Sequence, residues 1–344
     1  MTENTYYKPR LVIGDKEITK GMSGSVTFSG NSQANTCICT ITDPHFQNYK
    51  LYNKELKVYL NYGADDGVPI FRGLIKEIKP NDTQTGLVAV DPRMLITGDT
   101  SELLHLTDDD NYDGYSLAGF LQKIIEEKIN TKKTLIGLDC LRDTNPIVTM
   151  NNERTKEPVS IYSLIIKKLK SAVDDADIEK PLTYFIDMVD DGLKSNITFL
   201  KEKQLTETPS LYLGFSNGLI SYTNNRRVPA TRAVGGGADF TFSSEPRGSV
   251  SKKISGKFKD RNEARIEAIS DIFLNNRETD EISLQVNKGH YIGLGSIVRL
   301  DIDEEDIKGN HRLTSKKIAF DESGVKLSMS LNKKPLILSD FISI

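Results

Sequence analysis

Over the first hundred residues, apolar and polar positions alternate in short runs broken by turn-forming clusters. Val26 and Phe28 alternate with polar neighbours, and Leu56, Val58, Leu60 and Tyr62 do so around Lys57 and Asn61. A period of two is the signature of a half-buried strand. Ala64, Asp65, Asp66 and Gly67 predict a turn, residues 69–78 the next strand, and residues 81–86 a second turn into strand 87–90. Strands this short and regularly spaced predict an antiparallel sandwich or barrel.

From about residue 107 the period changes. Ser116 is placed to cap a helix whose Leu117, Phe120, Leu121, Ile124 and Ile125 share one face. A second helix is predicted from near Ser160, gathering Ile161, Leu164, Ile165 and Ala172, with Lys167, Lys168 and Lys170 mostly opposite. Strand signals return in residues 182–200 through Leu193, Ile197 and Phe199, so the middle third reads as mixed α and β. Beyond it, Leu211, Leu213 and Phe215 run into Ser216, Asn217 and Gly218, and Asn-Gly between apolar alternations predicts a hairpin. Val250, Ile254 and Phe258 share a strand face that ends at Asp260. There Asp260 and Glu263 form a capping box for a helix bearing Ile266, Ile269, Ile272 and Phe273. Strands at 282–286 and 297–302 follow, then a hairpin ending in Val325, Leu327, Met329 and Leu331.

The expected class is mainly β with an α+β insert. A chain of 344 residues has room for two or three domains of roughly 100–200 residues. The periods divide it into a first β domain (1–106), a helix–strand insert (107–204), a second β domain with one helix (205–331) and an apolar tail (332–344).

Composition narrows the chemistry. Forty-five Lys and Arg stand against 48 Asp and Glu, a formal charge of −3, without the basic footprint of a dedicated nucleic-acid binder. Charged residues at 27% and aromatics at 8% exclude a disordered or collagen-like chain. Four histidines and three cysteines are thin material for metal or acid–base work. Cys37, Cys39 and Cys140 have no disulfide-framework spacing, which predicts synthesis in a reducing cytoplasm. The opening Met1-Thr2-Glu3-Asn4 predicts no secretory signal. No apolar run approaches the ~18–20 residues that span a bilayer, so no stable membrane insertion is expected.

Each local constellation has a plain structural reading. Asp109 to Gly114 matches the first half of a calcium loop, but the twelfth position, where a bidentate Glu belongs, is Phe120. An acidic turn before a capped helix is expected instead. Asp301, Asp303, Glu304, Glu305 and Asp306 form a denser acidic cluster, expected as a solvated strand connection. Cys37 and Cys39 face one side of a strand, where zinc would need two further ligands; buried thiols are expected. Gly235, Gly236 and Gly237 lack the Lys-Ser/Thr of a phosphate loop and predict a flexible loop or bulge. No triad context surrounds His45, His105, His290 or His311. Basic residues at Arg226, Arg227 and Arg232, and from Lys252 to Arg265, predict a solvated face or one that meets an acidic partner. The tail is different: Leu336, Ile337, Leu338, Phe341, Ile342 and Ile344 are too apolar to hang in water. They are expected to pack back on their own domain or to dock on a neighbouring subunit or partner.

Several of these segments carry a resemblance. The stretch from Val68 to Ile78, with Phe71-Arg72-Gly73-Leu74-Ile75 as a Phe-x-Gly-x-Ile strand, resembles the end of the first domain in baseplate hub proteins of contractile-tailed bacteriophages. Gly293-Leu294-Gly295-Ser296-Ile297-Val298 is similar to that family's Gly-x-x-Val strand, and the hairpin from His311 to Leu331 resembles its closing strands. The order of elements agrees over nearly the whole length.

The resemblance implies two tube-like β-barrel or sandwich domains per chain and a homotrimer forming a pseudo-sixfold ring in the virion's tail baseplate. That ring would join the tail tube protein to the central spike protein, beside other baseplate proteins, and let DNA pass without tight binding. It implies no enzyme activity and no cofactor or metal. The acidic residues 301–306 become candidates for the channel wall, and Leu336 to Ile344 for subunit or spike contact. Two other classes stay open on the residues alone: a peptidoglycan hydrolase using a carboxylate pair, defined by a spacing that sequence does not show, and a tail-peripheral host adhesin.

Overall fold

The computed structural model describes residues 8–29, 34–42, 49–60, 68–97, 103–107, 112–129, 136–137, 155, 157–164, 173–174, 177–181, 184–190, 195–201, 208–227, 232–241, 251–254, 261, 264–265, 268, 279–302 and 307–332. Its main body is one sheet of thirteen strands. In chain order these are β1 Arg10–Ile13, β2 Lys16–Ile18, β3 Met22–Ser29, β4 Thr36–Ile41, β5 Glu55–Tyr59, β6 Phe71–Pro80 and β7 Thr85–Val90 from the first third. From the last third come β8 Pro209–Leu213, β9 Leu219–Arg227, β10 Thr279–Val286, β11 Ile297–Leu300, β12 Gly309–Asp321 and β13 Gly324–Asn332.

The spatial order is β9-β10-β13-β12-β3-β4-β7-β6-β5-β1-β2, with β11 and then β8 branching from β12. All pairs are antiparallel except β8 with β11. The pairing that unites the two ends of the chain is β12 with β3, from Ser315 opposite Ser29 to Phe320 opposite Gly24. β12 changes neighbours on that side: Gly309 to Arg312 pair with β11, and Ser315 to Phe320 with β3. The register shifts between Leu313 and Ser315, the kind of irregularity that bends a strand and re-aims it.

Alternation sets the buried face. Val26, Cys37, Leu56, Ile75 and Ala89 of the first third share one core with Leu213, Ile282, Val298, Ile318 and Met329 of the last. The Phe-x-Gly-x-Ile strand has a steric reason for its glycine. A Cβ at Gly73 would lie 2.5 Å from the Phe71 ring and 2.7 Å from the Val90 carbonyl oxygen.

In the insert, Ser116 caps as expected: its Oγ accepts the Gly119 N–H at 3.1 Å. After the short helix α1 (Met94–Thr97), this cap opens α2 (Leu117–Ile124), which a π-turn continues through Ile129. Phe120, Leu121, Ile124 and Ile125 are buried. Residues 161–164 are helical, with Ile161 and Leu164 buried and the Ser163 N–H donating to Ser160 Oγ; Ile165, Ala172 and the lysines opposite lie outside the described residues. Strands Tyr184–Asp190 and Ser195–Lys201 pair antiparallel within the stretch read as β.

Three expectations in the last third change. The Asn217-Gly218 turn forms, with the Asn217 and Leu219 N–H groups both donating to the Gly214 carbonyl. Its flanking strands part, however, because β8 buries Leu211 and Leu213 by running parallel to β11 while β9 pairs with β10. The triple glycine is a tight hairpin rather than a flexible loop. Strands Arg232–Gly235 and Ala238–Thr241 pair across Gly236 and Gly237, whose φ angles of 57° and 80° belong to the left-handed region glycine tolerates. The strand expected around Val250, Ile254 and Phe258 is the short Ser251–Lys253, parallel to Arg232–Gly235; Val250 and Phe258 lie outside the described residues. With Ala264 and Ala268 one helical turn apart, these strands enclose a second, small core of Ala233, Ala238 and Ile254. Ile266, Ile269, Ile272 and Phe273 lie outside the described residues.

Candidate interaction surfaces

The residues with the most reactive chemistry are spent on packing. Cys37 and Cys39 are buried on consecutive inward positions of β4, opposite Ala89 and Leu87. A hydrogen bond with Cys39, together with burial, pushes the Cys37 thiol well up, so it stays protonated and neutral. His311 is buried with its ring Nε2 2.9 Å from the Ile307 carbonyl oxygen. His290 is half-buried, and burial followed by the charge of Lys316 pulls it below its ordinary value. His105 is exposed. Phe120, at the closing position of the half calcium loop, is fully buried in the helix core, and Asp109, Asp110 and Asn111 lie outside the described residues. Among the described residues no three His, Cys, Asp or Glu side chains group as metal ligands.

Two polar clusters that alternation did not reveal hold the sheet together. At the end of β7, Asp91 and Arg93 form a buried ion pair of 3.3 Å. Asp91 also accepts the N–H groups of Asn35 at 2.9 Å and Arg93 at 3.0 Å, and Asn35 Oδ1 accepts that of Ser29 at 3.1 Å. Burial raises the Asp91 carboxyl above its ordinary value against the pull of Arg93 and these donors. Arg93 also acts on the buried phenol of Tyr162 in the insert, so the cluster sits where sheet and insert meet.

The second cluster is Lys316 of β12, which is 8% exposed. Its Nζ donates to the His290 and Ile292 carbonyls at 2.9 and 2.6 Å and lies 4.7 Å from the Phe28 ring centre. One ammonium thus ties the loop before β11 to β3. The Gly-x-x-Val segment is held nearby: Gly295 N–H donates to the Leu313 carbonyl and its own carbonyl accepts from Arg312.

Of the acidic cluster, Asp301 is exposed and paired with Lys308 at 2.7 Å, whose hydrogen bond holds the carboxyl below its ordinary value. Asp303, Glu304, Glu305 and Asp306 lie outside the described residues, as do all six tail residues Leu336, Ile337, Leu338, Phe341, Ile342 and Ile344. Apolar exposure appears at the corner between β8 and β9, where Tyr212, Phe215 and Ile220 are 52%, 57% and 59% exposed. That corner is rigid: Asn217 Nδ2 donates to the Tyr212 carbonyl, Lys288 to Asn217, and the Asn287 N–H to the Gly218 carbonyl. No helix among the described residues is long and apolar enough to cross a membrane.

No protein-family model and no curated protein matches the sequence. Solved structures do match its fold. A tail protein from Neisseria meningitidis MC58 superposes with a TM-score of 0.67 at 11% identity, over 98% of this chain and 99% of that one. The 43 kDa tail protein of prophage MuSo2 from Shewanella oneidensis gives 0.64 at 11% identity, over 97% and 98%. An E. coli type VI secretion component, described as structurally similar to the T4 tail proteins gp27 and gp5, gives 0.55 at 11%, over 95% and 80%. The chain shares the fold of bacteriophage tail proteins from end to end.

Proposed function

We propose that this chain is the structural baseplate hub of a contractile tail, a non-enzymatic protein of the virion. Three copies form a pseudo-sixfold ring that joins the tail tube to the central spike and leaves a channel for DNA. The observation that carries this reading is the reciprocal coverage: 98% of this chain matches 99% of a tail protein, so both chains are built to the same plan over their whole lengths. The burial of the thiols and of His311 supports a scaffold over a catalyst.

The apolar residues Leu336 to Ile344 are assigned to subunit or spike contact, and the acidic residues 301–306 to the channel wall. Deleting residues 336–344 is expected to abolish assembly while leaving the thermal midpoint of the chain nearly unchanged. Mass measurement and electron microscopy of the purified chain test the whole reading. A three-fold ring with a central opening is expected, and a stable monomer at micromolar concentration would overturn it. A peptidoglycan zymogram is expected to show no clearing.

A further inference from the structure

The solvent side of the sheet is divided in two. On the β6-β5-β1-β2 wing the outward positions are charged and paired: Arg10 with Glu17 at 3.0 Å, Lys57 with Glu55 at 3.2 Å, and Lys79 with Glu77 at 2.6 Å. The register carries the same face across β7, β4, β3, β12, β13 and β10 to β9. There the outward rows are short hydroxyl side chains, among them Ser25, Thr27, Ser283, Ser315, Ser328 and Ser330. Ser315 stands opposite Ser29 on one side and Ser330 on the other, and Ser330 opposite Ser283. Among the described side chains of this field the charges are Lys317, Lys326 and, at the hairpin end, Asp321.

Seven strands at about 4.8 Å make a field roughly 30 Å across. A solvent face left to strand propensity fills with β-branched and aromatic residues, so recurring serine calls for another reason. The charged wing of the same sheet shows that the neutrality is local and not a property of the chain.

We infer that this hydroxyl field is the wall of the channel in the proposed ring, and that the molecule it faces is duplex DNA in transit. The inference rests on the ring reading and adds which face turns inward. Phosphates are held by Lys and Arg through counterion release, and a wall nearly without them offers no such grip. Its exposed apolar residues, Ile38 at 56% beside half-buried Val88, favour DNA over an unfolded polypeptide. A sugar–phosphate exterior does not adhere to them, whereas an extended apolar chain would.

The test places a charge where the field has none. In the purified full-length chain, Thr27→Lys, Ser283→Lys and Ser328→Lys together are compared with Gln at the same three positions, which adds length without charge. After confirmation that wild type is a ring, each is offered a linear duplex and a closed circle of the same sequence. The Lys triple is expected to retain the linear duplex at least tenfold more than the circle, because only an end threads an inward-facing wall. The Gln triple and wild type should retain neither. Equal retention of both forms by the Lys triple would place the face outward and overturn the inference. Loss of the ring in both triples would make the face a subunit contact and also overturn it. Lys-triple rings that ignore DNA, with Leu-substituted rings that retain an unfolded polypeptide, would replace DNA by protein as cargo. A wild-type monomer, by contrast, defeats the ring reading itself.

Discussion

Asp91 and Arg93 flank a proline where β7 leaves the sheet, and both are buried. Removing one partner of a buried ion pair strands the other charge, which costs about 3–5 kcal/mol. Asp91→Ala is therefore expected to lower stability by that amount, read as a shift in the urea midpoint. Asp91→Leu with Arg93→Met should cost much less, because no buried charge remains. His290 makes stability depend on pH. Its ring binds a proton less readily in the folded chain than in the unfolded one, so the folded state is not penalised above the unfolded value near 6.5. Stability then declines as the pH falls below it. His290→Gln should flatten the fall in thermal midpoint between about pH 7 and pH 5. Little of this was legible in the sequence, since Asp-Pro-Arg looks like any surface turn. Only the pairing of β4 with β7 brings Asn35 to Asp91 and buries both.

Strands were readable element by element, and their partners were not. Alternation located β5, β7 and β13 because one face of each must leave water. Pairing depends on contacts between distant segments, which a local period does not encode. Asn217-Gly218 shows the limit: the turn is local and formed as expected, while the choice of β11 over β9 as partner for β8 was made by burial of Leu211 and Leu213. Gly73 belongs at this scale as well. Gly73→Ala forces a methyl against the Phe71 ring and the Val90 carbonyl, and overpacking of this kind costs about 1–3 kcal/mol. The expected readout is a lower thermal midpoint with an unchanged circular dichroism spectrum. The hydroxyl face was visible as Ser and Thr at every second position of single strands. That these rows adjoin became visible only with the order of strands.

At the scale of the whole molecule, the first and last thirds share one sheet and one core. A fragment of residues 1–106 lacks β12, so it would expose the edge of β3 and the apolar side of Val26 and Phe28. It is expected to show no cooperative melting and to sediment as aggregates; a monomer with a sharp transition would contradict this. The same seam has a consequence in time. A ribosome adding about 5–20 residues per second finishes β3 roughly 15–60 s before it delivers the stretch of β12 that pairs with it. Through that interval the nascent chain carries an unsatisfied strand edge, a template for pairing with the wrong chain. Folding of the first third then waits on the last. The rate of translation, more than the stability of the finished sheet, sets how much of the protein is lost to aggregation.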